Sequence, residues 1–142
     1  MGKQLAQMHR HLSSDNQFGF YEDNFIGETV QKNSRFSSWA DFFVECRLRP
    51  QIDLFISNGY ELDCGEELLS SVRKTLSSHH PSPSLLHGDL WGGNTAFIQP
   101  NTPVIYDPAV YYGDRETDIV MTKVGDFGDL SLFHPIVLWI LS

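Results

Sequence analysis

Apolar side chains recur at helical spacings in three parts of the chain, separated by stretches of small polar residues, glycine and proline. The first pattern, Leu5, Met8 and Leu12, lies on one helix face and predicts an amphipathic helix over residues 2 to 12. His9 shares that face, so we expect it to be a buried structural histidine rather than a metal ligand. The pattern therefore predicts that the chain begins with a helix packed on a core.

A long polar segment follows the first helix, and two more helices come after it. Residues Ser13 to Ser37 are rich in Asn, Ser, Asp and Gly, which predicts an irregular loop. The next helix is predicted from Trp39 to about Asn58, with Pro50 marking a kink or a restart. A third helix is predicted from Glu66 to Ser78. The apolar residues of these two patterns are Trp39, Phe42, Phe43 and Cys46, then Leu68, Leu69, Val72 and Leu76.

The second half of the chain changes to strand-like runs. A cluster of Ser, His and Pro over residues 77 to 84 leads into an apolar strand that begins at Leu85. Turn-forming residues from Gln99 to Pro103 precede a second apolar run, Val104 to Tyr106, as in a β-hairpin. The order helix, loop, helix, helix, hairpin and short helix predicts a single α+β domain.

The loop after the first of these strands carries the residues suited to chemistry. The run His87-Gly88-Asp89-Leu90-Trp91-Gly92-Gly93-Asn94 has the His-x-Asp-x-x-x-x-Asn spacing of a kinase catalytic loop. In such a loop Asp89 receives the proton of the acceptor hydroxyl, and Asn94 ligates a metal ion. Asp107, brought back by the hairpin, completes the oxygen ligands. Each residue alone also fits an ordinary turn, but the combination predicts a phosphoryl-transfer site.

Composition and charge narrow the possible functions. The 142 residues are 41% hydrophobic and 13% aromatic, which is typical of a globular domain. The net charge of -8 argues against nucleic acid or an anionic membrane as a partner, since both attract basic surfaces. No apolar leader follows Met1, which predicts a cytoplasmic location. Cys46 and Cys64 are expected to be reduced thiols.

At these residues the sequence resembles the fructosamine kinase (ketosamine 3-kinase) family, a branch of the aminoglycoside and choline kinase-like phosphotransferases. The resemblance covers about residues 1 to 122. The catalytic-loop spacing is shared by the whole superfamily, whereas Trp91 and the Tyr112 to Glu116 run indicate this branch. The matching segments are Ser84 to Asn94, Tyr106 to Ala109, Tyr112 to Glu116 with Asp118, Leu5 to His9, Asn24 to Gly27, Trp39 with Phe42 and Phe43, and Arg47 with Leu48.

The resemblance implies transfer of the ATP γ-phosphate to a sugar hydroxyl of a ketosamine, a small glycated amine, and so a part in deglycation. It implies Asp89 as the base and Asn94 with Asp107 as the Mg²⁺ ligands, so that ATP and Mg²⁺ are both required. Trp91 would form a wall of the substrate site, because an indole face can cover the apolar face of a sugar ring. Packing of Trp91 in the core is the alternative.

Two further groups of residues surround this loop. Asp114, Arg115, Glu116 and Asp118 form a charged group, of which the resemblance makes the first three substrate-binding. The acidic start of a helix, with Asp114 as its cap, explains the group equally well. His87 and Gly88 are expected to be structural parts of the loop. Gly88 stands where protein kinases carry arginine, which indicates a small-molecule kinase without a phosphorylated activation loop.

A complete kinase of this kind also has an N-terminal nucleotide lobe with a Gly-rich phosphate cover and a strand lysine, and these 142 residues show neither. The prediction is therefore the mainly helical C-terminal lobe of a protein-kinase-like fold, present as a partial domain over residues 1–122. Residues 123–142 are predicted to be a divergent apolar tail, whose Asp126-Phe127-Gly128 run is ordinary loop composition. The lysines, none in such a strand, are Lys3, Lys32, Lys74 and Lys123.

Three functions remain open from the sequence. The first is a ketosamine kinase of which this chain is a truncated form, inactive on its own. The second is a phosphotransferase for an aminoglycoside or amino alcohol, which Trp91 and the Tyr111 to Asp114 run disfavour. The third is a non-enzymatic truncated product. An apolar surface facing the missing lobe also predicts self-association.

Overall fold

A computed structural model of the chain describes residues 1–100 and 102–123, and within them the predicted α+β fold is confirmed. The predicted tail, with its Asp126-Phe127-Gly128 run, lies outside the described residues apart from Lys123. The helices are α1 (Gly2–Met8), α2 (Trp39–Phe43), α3 (Arg49–Ser57), α4 (Gly65–Leu76) and α5 (Glu116–Met121). The strands are β1 (Asn24–Ile26), β2 (Thr29–Gln31), β3 (Ser84–Leu86), β4 (Thr95–Gln99), β5 (Thr102–Ile105) and β6 (Tyr111–Gly113).

The long helical segment after residue 38 is interrupted at the place that the sequence predicts. Ser38 caps α2 by accepting the backbone N–H of Asp41 on its hydroxyl oxygen. Pro50 lies in the first turn of α3 and has no N–H to give to the preceding turn. The turn Val44–Leu48 is accordingly π-helical, a form that usually occurs as a short insertion between α-helical stretches.

An aromatic core holds the helices against the strands. Phe42 and Phe43 are fully buried, and α4 covers them with its apolar stripe of Leu69, Val72 and Leu76. The buried Arg47 lies over the Tyr111 ring, with its guanidinium carbon 4.0 Å from the ring centroid. We call the following residues the aromatic core: Phe18, Trp39, Phe42, Phe43 and Tyr111.

The prediction of an irregular loop from Ser13 to Ser37 is wrong in one part, because β1 and β2 form an antiparallel hairpin there. Gly27 begins the two-residue turn between them with a φ of 55°. Polar side chains at the hairpin base obscured its alternation: Asn24 donates to the Val110 carbonyl (2.7 Å), and Gln31 donates to the Ala109 carbonyl (2.9 Å). The hairpin is therefore fixed to the segment that follows Asp107.

Two other strand pairs position the loop of residues 87–94 and the chain segment that leads to Asp107. β3 pairs with β6 in antiparallel register, and β4 pairs with β5. The loop leaves β3 at Leu86 and enters β4 at Thr95, whose register partner in β5 is Ile105. The backbone N–H of Tyr106 donates to the Asn94 carbonyl (3.2 Å), which continues this pairing by one residue. The predicted hairpin is confirmed, and it returns the chain to the loop just before Asp107.

The two cysteines differ in exposure. Cys46 is buried, Cys64 is exposed, and both are free thiols as expected. Among residues 1–100 and 102–123, no helix is long and apolar enough to cross a membrane.

Candidate active site

The start of the loop is held by a buried carboxylate. Asp118, on α5, is 0% exposed and accepts the backbone N–H groups of His87 and Gly88, both at 2.9 Å, on its two oxygens. His9 Nε2 lies 2.9 Å from Asp118 Oδ2, so the predicted structural role of this histidine is confirmed. We call these four residues the Asp118 node. Two consecutive amides bound by one carboxylate fix the orientation of the peptide that leads into Asp89.

Gly88 is required by backbone geometry. Its φ is 82°, a left-handed conformation that residues with a Cβ rarely adopt. A Cβ at this position would lie 2.0 Å from the Ala109 carbonyl oxygen. The loop therefore approaches the segment after Asp107 more closely than any side chain would allow. This packing gives a reason for glycine here that does not depend on the absence of a phosphorylated activation loop.

His87 links the loop to the strand that precedes Asp107. Its Nδ1 accepts the backbone N–H of Asp89 (3.3 Å), so Nε2 carries the proton and donates to the Tyr106 carbonyl (3.0 Å). The ring is 2% exposed. His87 is thus a structural residue with both nitrogens in use.

Asp89 and Asn94 form a hydrogen-bonded pair within the loop. The Asn94 Nδ2 donates to both the backbone carbonyl and the carboxylate Oδ2 of Asp89, each at 2.9 Å. Burial raises the pKa of the Asp89 carboxyl above its ordinary value. The hydrogen bond from Asn94 opposes that rise, whereas the negative charge of Asp107 adds to it. The hydrogen bond from the Tyr106 N–H to the Asn94 carbonyl (3.2 Å) holds the residue before Asp107 against the end of the loop.

The residues present fit a hard cation such as Mg²⁺. Asn94 uses its nitrogen on Asp89, which leaves Oδ1 as the acceptor end of a buried amide. Asp107 has a φ of 57° and an exposed side chain. Within the described part of the chain, no three His, Cys, Asp or Glu side chains gather as a metal cluster. A metal here would therefore rely on the amide oxygen, on carboxylate oxygens and on phosphate oxygens, which is the kind of shell that Mg²⁺ accepts.

Trp91 does not pack in the core. Its residue surface is 43% exposed, although it belongs to the same loop as the buried Asn94. Core packing, the alternative that the sequence left open, therefore does not describe this residue. A large apolar ring held at the surface two residues after Asp89 is available to a ligand.

The charged group at the start of α5 is arranged as a helix terminus. Asp114 is buried, accepts the backbone N–H of Glu116 (3.1 Å), and lies 2.7 Å from His79 Nε2. Arg115 and Glu116 are exposed. The N-cap position of α5 is Arg115, which makes no side-chain capping bond, so Asp114 binds the first helical amide from one residue further upstream than the sequence predicted. The substrate-binding role of the three residues stays a prediction.

Two residues of the site were not assigned a role from sequence. Asp118 was grouped with the charged residues around Asp114, yet it shares a buried helix face with Met121, three residues later. A buried aspartate on an apolar face is a signal of an anchoring role. Tyr106 donates its hydroxyl to the Gly93 carbonyl (2.6 Å), a contact that the spacing of the sequence does not reveal.

Comparison with known proteins decides which family the chain represents. The sequence profile described as "Fructosamine kinase" matches residues 1–133. The chain belongs to the fructosamine kinase family. The predicted resemblance to this family is confirmed, and relatives of the chain are named as kinases.

Curated relatives agree with this assignment. A protein of Vibrio cholerae serotype O1 named "Probable ketoamine kinase" is 47% identical over 122 residues, which cover 86% of this chain and 42% of the relative. The "Protein-ribulosamine 3-kinase, chloroplastic" of Oryza sativa subsp. indica is 37% identical over 131 residues, covering 90% of this chain and 38% of the relative. The chain thus spans about two fifths of the length of these fructosamine kinase relatives.

Solved structures show the same likeness. The crystal structure of a "Putative fructosamine-3-kinase" from Haemophilus somnus 129PT is similar with a TM-score of 0.77 and 31% identity, covering 94% of this chain and 43% of that one. A second, from Thermobifida fusca YX-ER1, has a TM-score of 0.76 and 31% identity, covering 87% and 43%. The described fold is therefore that of part of a fructosamine kinase.

Proposed function

We propose that this chain is the acceptor-side part, the C-terminal lobe, of an ATP-dependent ketosamine kinase. The observation that carries the proposal is the Asn94 amide, which binds the Asp89 carboxylate through nitrogen and leaves its oxygen to accept, while the Asn94 backbone carbonyl accepts the N–H of Tyr106, the residue before Asp107. A phosphoryl-transfer site needs a base and oxygen ligands held together, and this arrangement supplies both. The names of the curated relatives support a glycated amine as the acceptor.

In the proposed reaction Asp89 acts as the general base. Its carboxylate takes the proton of a sugar hydroxyl as the hydroxyl oxygen bonds to the γ-phosphorus of ATP and the bond to ADP breaks. A pKa raised by burial makes the carboxylate a stronger base than an exposed aspartate. Asn94 keeps the reacting carboxylate in one orientation.

Asn94 and Asp107 would hold Mg²⁺ through oxygen atoms. The ion, when bound, neutralises charge on the phosphate oxygens of ATP. His87 and Tyr106 hold the backbone on either side of these ligands, because the imidazole of one donates to the carbonyl of the other. The two proposed ligands are therefore set relative to each other by buried contacts.

Trp91 would cover the acceptor sugar. Its exposed indole, two residues beyond Asp89, suits the apolar face of a sugar ring and leaves the hydroxyls at the ring edge free for the base. Asp114, Arg115 and Glu116 remain proposed contributors to acceptor binding from the start of α5. An aminoglycoside or amino alcohol is the alternative acceptor, with no observation in the described residues that favours it.

The isolated chain is expected to lack turnover. Without a nucleotide lobe, the phosphates of ATP miss the lysine and the Gly-rich cover that place them, and positioning contributes about 7–11 kcal/mol in well-oriented reactions. An apolar groove of about 130 Å³ also opens between α1 and the β4–β5 hairpin. It is lined by Met1, Gln4, Leu5, Met8, Leu90, Pro103 and Ile105. This surface should bind a hydrophobic dye or promote self-association.

The test is an acceptor-dependent ADP assay on a full-length enzyme that contains this chain. ADP should form when Mg²⁺, ATP and a fructose-amine are all present, and not when free fructose or an aminoglycoside replaces the fructose-amine. Preference for an aminoglycoside would contradict the proposed acceptor. Turnover near 1 s⁻¹, the low end for kinases, by the purified 142-residue chain alone would contradict the lobe assignment.

A further inference from the structure

The indole of Trp91 rests on the backbone of its own loop. A Cβ built on Gly93 would lie 2.1 Å from Cη2, 2.3 Å from Cζ2 and 2.5 Å from Cζ3 of Trp91. These three atoms form the outer edge of the six-membered ring, so that edge lies directly over the Gly93 Cα hydrogen. At the neighbouring Gly92, a Cβ would meet no atom within 4 Å outside the two adjacent residues, Trp91 and Gly93.

Tyr106 also binds the Gly93 peptide. Its hydroxyl donates to the Gly93 carbonyl (2.6 Å), while its own carbonyl accepts from His87 and its N–H donates to the Asn94 carbonyl. Tyr106 immediately precedes Asp107. The peptide under the indole is therefore tied to the strand that presents a proposed magnesium ligand.

We infer that Gly93 and Tyr106 are positioning residues that set the orientation of Trp91 and thereby determine which acceptor fits beside Asp89. We call these two residues the indole seat. The inference rests on the proposed function, in which Trp91 covers the acceptor sugar. Neither residue of the seat touches the reacting atoms; both act through the indole.

The contact distances indicate what a single methyl group at Gly93 does. Carbon atoms pack at roughly 3.5–4.0 Å, so the ring edge must move by about 1.5 Å to accommodate a Cβ at 2.1 Å. The atoms in the way belong to the far end of one side chain, and Gly93 has no left-handed φ. The alanine variant should therefore fold, with the ring displaced instead of the backbone. Displacements of about 1 Å lower reactivity by up to about a hundredfold when they affect the reacting groups.

The kinetic test compares Gly93→Ala with Gly92→Ala in a full-length enzyme that contains this chain. Gly93→Ala should raise KM for the ketosamine by about tenfold or more, with KM for ATP changed less than about twofold. Gly92→Ala should leave both values near wild type. Tyr106→Phe, which removes the hydroxyl alone, should raise the ketosamine KM in the same direction by a smaller factor. Equal effects of the two alanine variants, or an equal rise in KM for ATP, would overturn the inference.

A double-mutant cycle distinguishes the indole from the loop backbone. In a Trp91→Ala background, Gly93→Ala should change the ketosamine KM no further, because the ring that it displaces is gone. A persisting effect of about tenfold would show that Gly93 acts through the backbone, and it would contradict the indole seat.

Fluorescence on the 142-residue chain gives a readout that does not depend on turnover. The Trp91 signal is the difference in acrylamide quenching between the wild type and Trp91→Phe, because the other two tryptophans, Trp39 and Trp139, are present in both proteins. Gly93→Ala should change that signal, and Gly92→Ala should not. An unchanged signal in Gly93→Ala overturns the indole seat. If Gly93→Ala changes the Trp91 signal but the full-length enzyme phosphorylates no ketosamine, the indole seat is supported and the proposed function is contradicted.

Discussion

Around Phe42 the chain packs rings against rings, whereas around Asp118 it surrounds a buried carboxylate with backbone amides. In the aromatic core, Phe42 lies 5.6 Å from Tyr111 and 5.8 Å from Trp39, measured between ring centroids, at tilted angles. In the Asp118 node, two amides and one imidazole each lie 2.9 Å from a carboxylate oxygen. The aromatic core excludes water from a large apolar surface, whereas the Asp118 node fixes the orientation of two backbone amides and one imidazole.

The difference indicates separate contributions to the fold and to the site. Burial of rings stabilises without strong directionality, so the aromatic core should determine most of the unfolding free energy. Hydrogen bonds to a buried carboxylate are directional, so the Asp118 node should determine where the peptide before Asp89 points. Substitutions in one region should therefore be distinguishable from those in the other.

The largest effect on stability is expected for Phe42→Ala. Removing a fully buried ring should lower the free energy of unfolding by about 3–5 kcal/mol, measured by urea denaturation. Phe25→Ala is the matched control, because Phe25 is 61% exposed on β1 and should change stability by less than about 0.5 kcal/mol. Similar losses of unfolding free energy in both variants would contradict the claim that the aromatic core determines most of the stability.

A smaller loss with a local signature is expected for Asp118→Asn. The amide offers one acceptor oxygen in place of two, so one of the two backbone N–H groups loses its partner, at about 1–3 kcal/mol. Hydrogen exchange of the His87 and Gly88 amides should accelerate more than exchange in α4. Asp53→Asn, at an exposed position, is the control. Uniform acceleration across the fold would contradict a local anchoring role.

Magnesium dependence should change without a comparable loss of stability. Asn94→Ala and Asp107→Ala each remove a proposed oxygen ligand, and the Mg²⁺ concentration for half-maximal ATP binding should rise by about tenfold or more. Titration of Mg²⁺ against nucleotide affinity in a full-length enzyme measures this, with Asp53→Ala as the control. Unchanged dependence in both variants would place the metal elsewhere.

The smallest effect concerns the stability of Asp89→Asn without divalent ions. The native pKa of Asp89 is raised, so the native state holds its proton more tightly than the unfolded state. Wild-type stability from this group is therefore present at low pH and is lost as pH rises through the raised pKa. Asp89→Asn lacks that loss. The melting temperature of Asp89→Asn in EDTA should exceed that of the wild type near pH 7, and the difference should shrink toward pH 3. The opposite trend would contradict a raised pKa of Asp89 in the native state.

The hairpin and the candidate loop beside it were predictable because their signals are local. The spacing from His87 to Asn94 and the turn before Val104 lie within short stretches of sequence. The Asp118 node was not predictable in the same way, since His9 and Asp118 are 109 residues apart and each alone resembles an ordinary helical residue. The β1–β2 hairpin was missed because Asn24 and Gln31 face a buried partner with polar side chains, which hides the alternation of a strand.

The proposed role of Trp91 depends on a kind of contact that sequence reasoning cannot supply. The pairing of Trp91 with Gly93 follows from a side-chain orientation, and Tyr106 reaches Gly93 across 13 residues. The resemblance to the family implied an aromatic wall at Trp91, and the three-dimensional arrangement was needed to show which residues contact its ring. The same holds for Gly88, whose close approach to Ala109 is visible only in the folded chain.

The most direct measurement of the central claim is the kcat of Asp89→Asn in a full-length enzyme that contains this chain. A general base contributes about 10²–10⁴-fold, so the variant should lose at least a hundredfold in kcat for a fructose-amine while Mg²⁺-ATP binding persists. Asp53→Asn should remain at the wild-type rate. A kcat of Asp89→Asn within threefold of wild type would contradict the assignment of Asp89 as the base, and with it the account of this loop as the phosphoryl-transfer site.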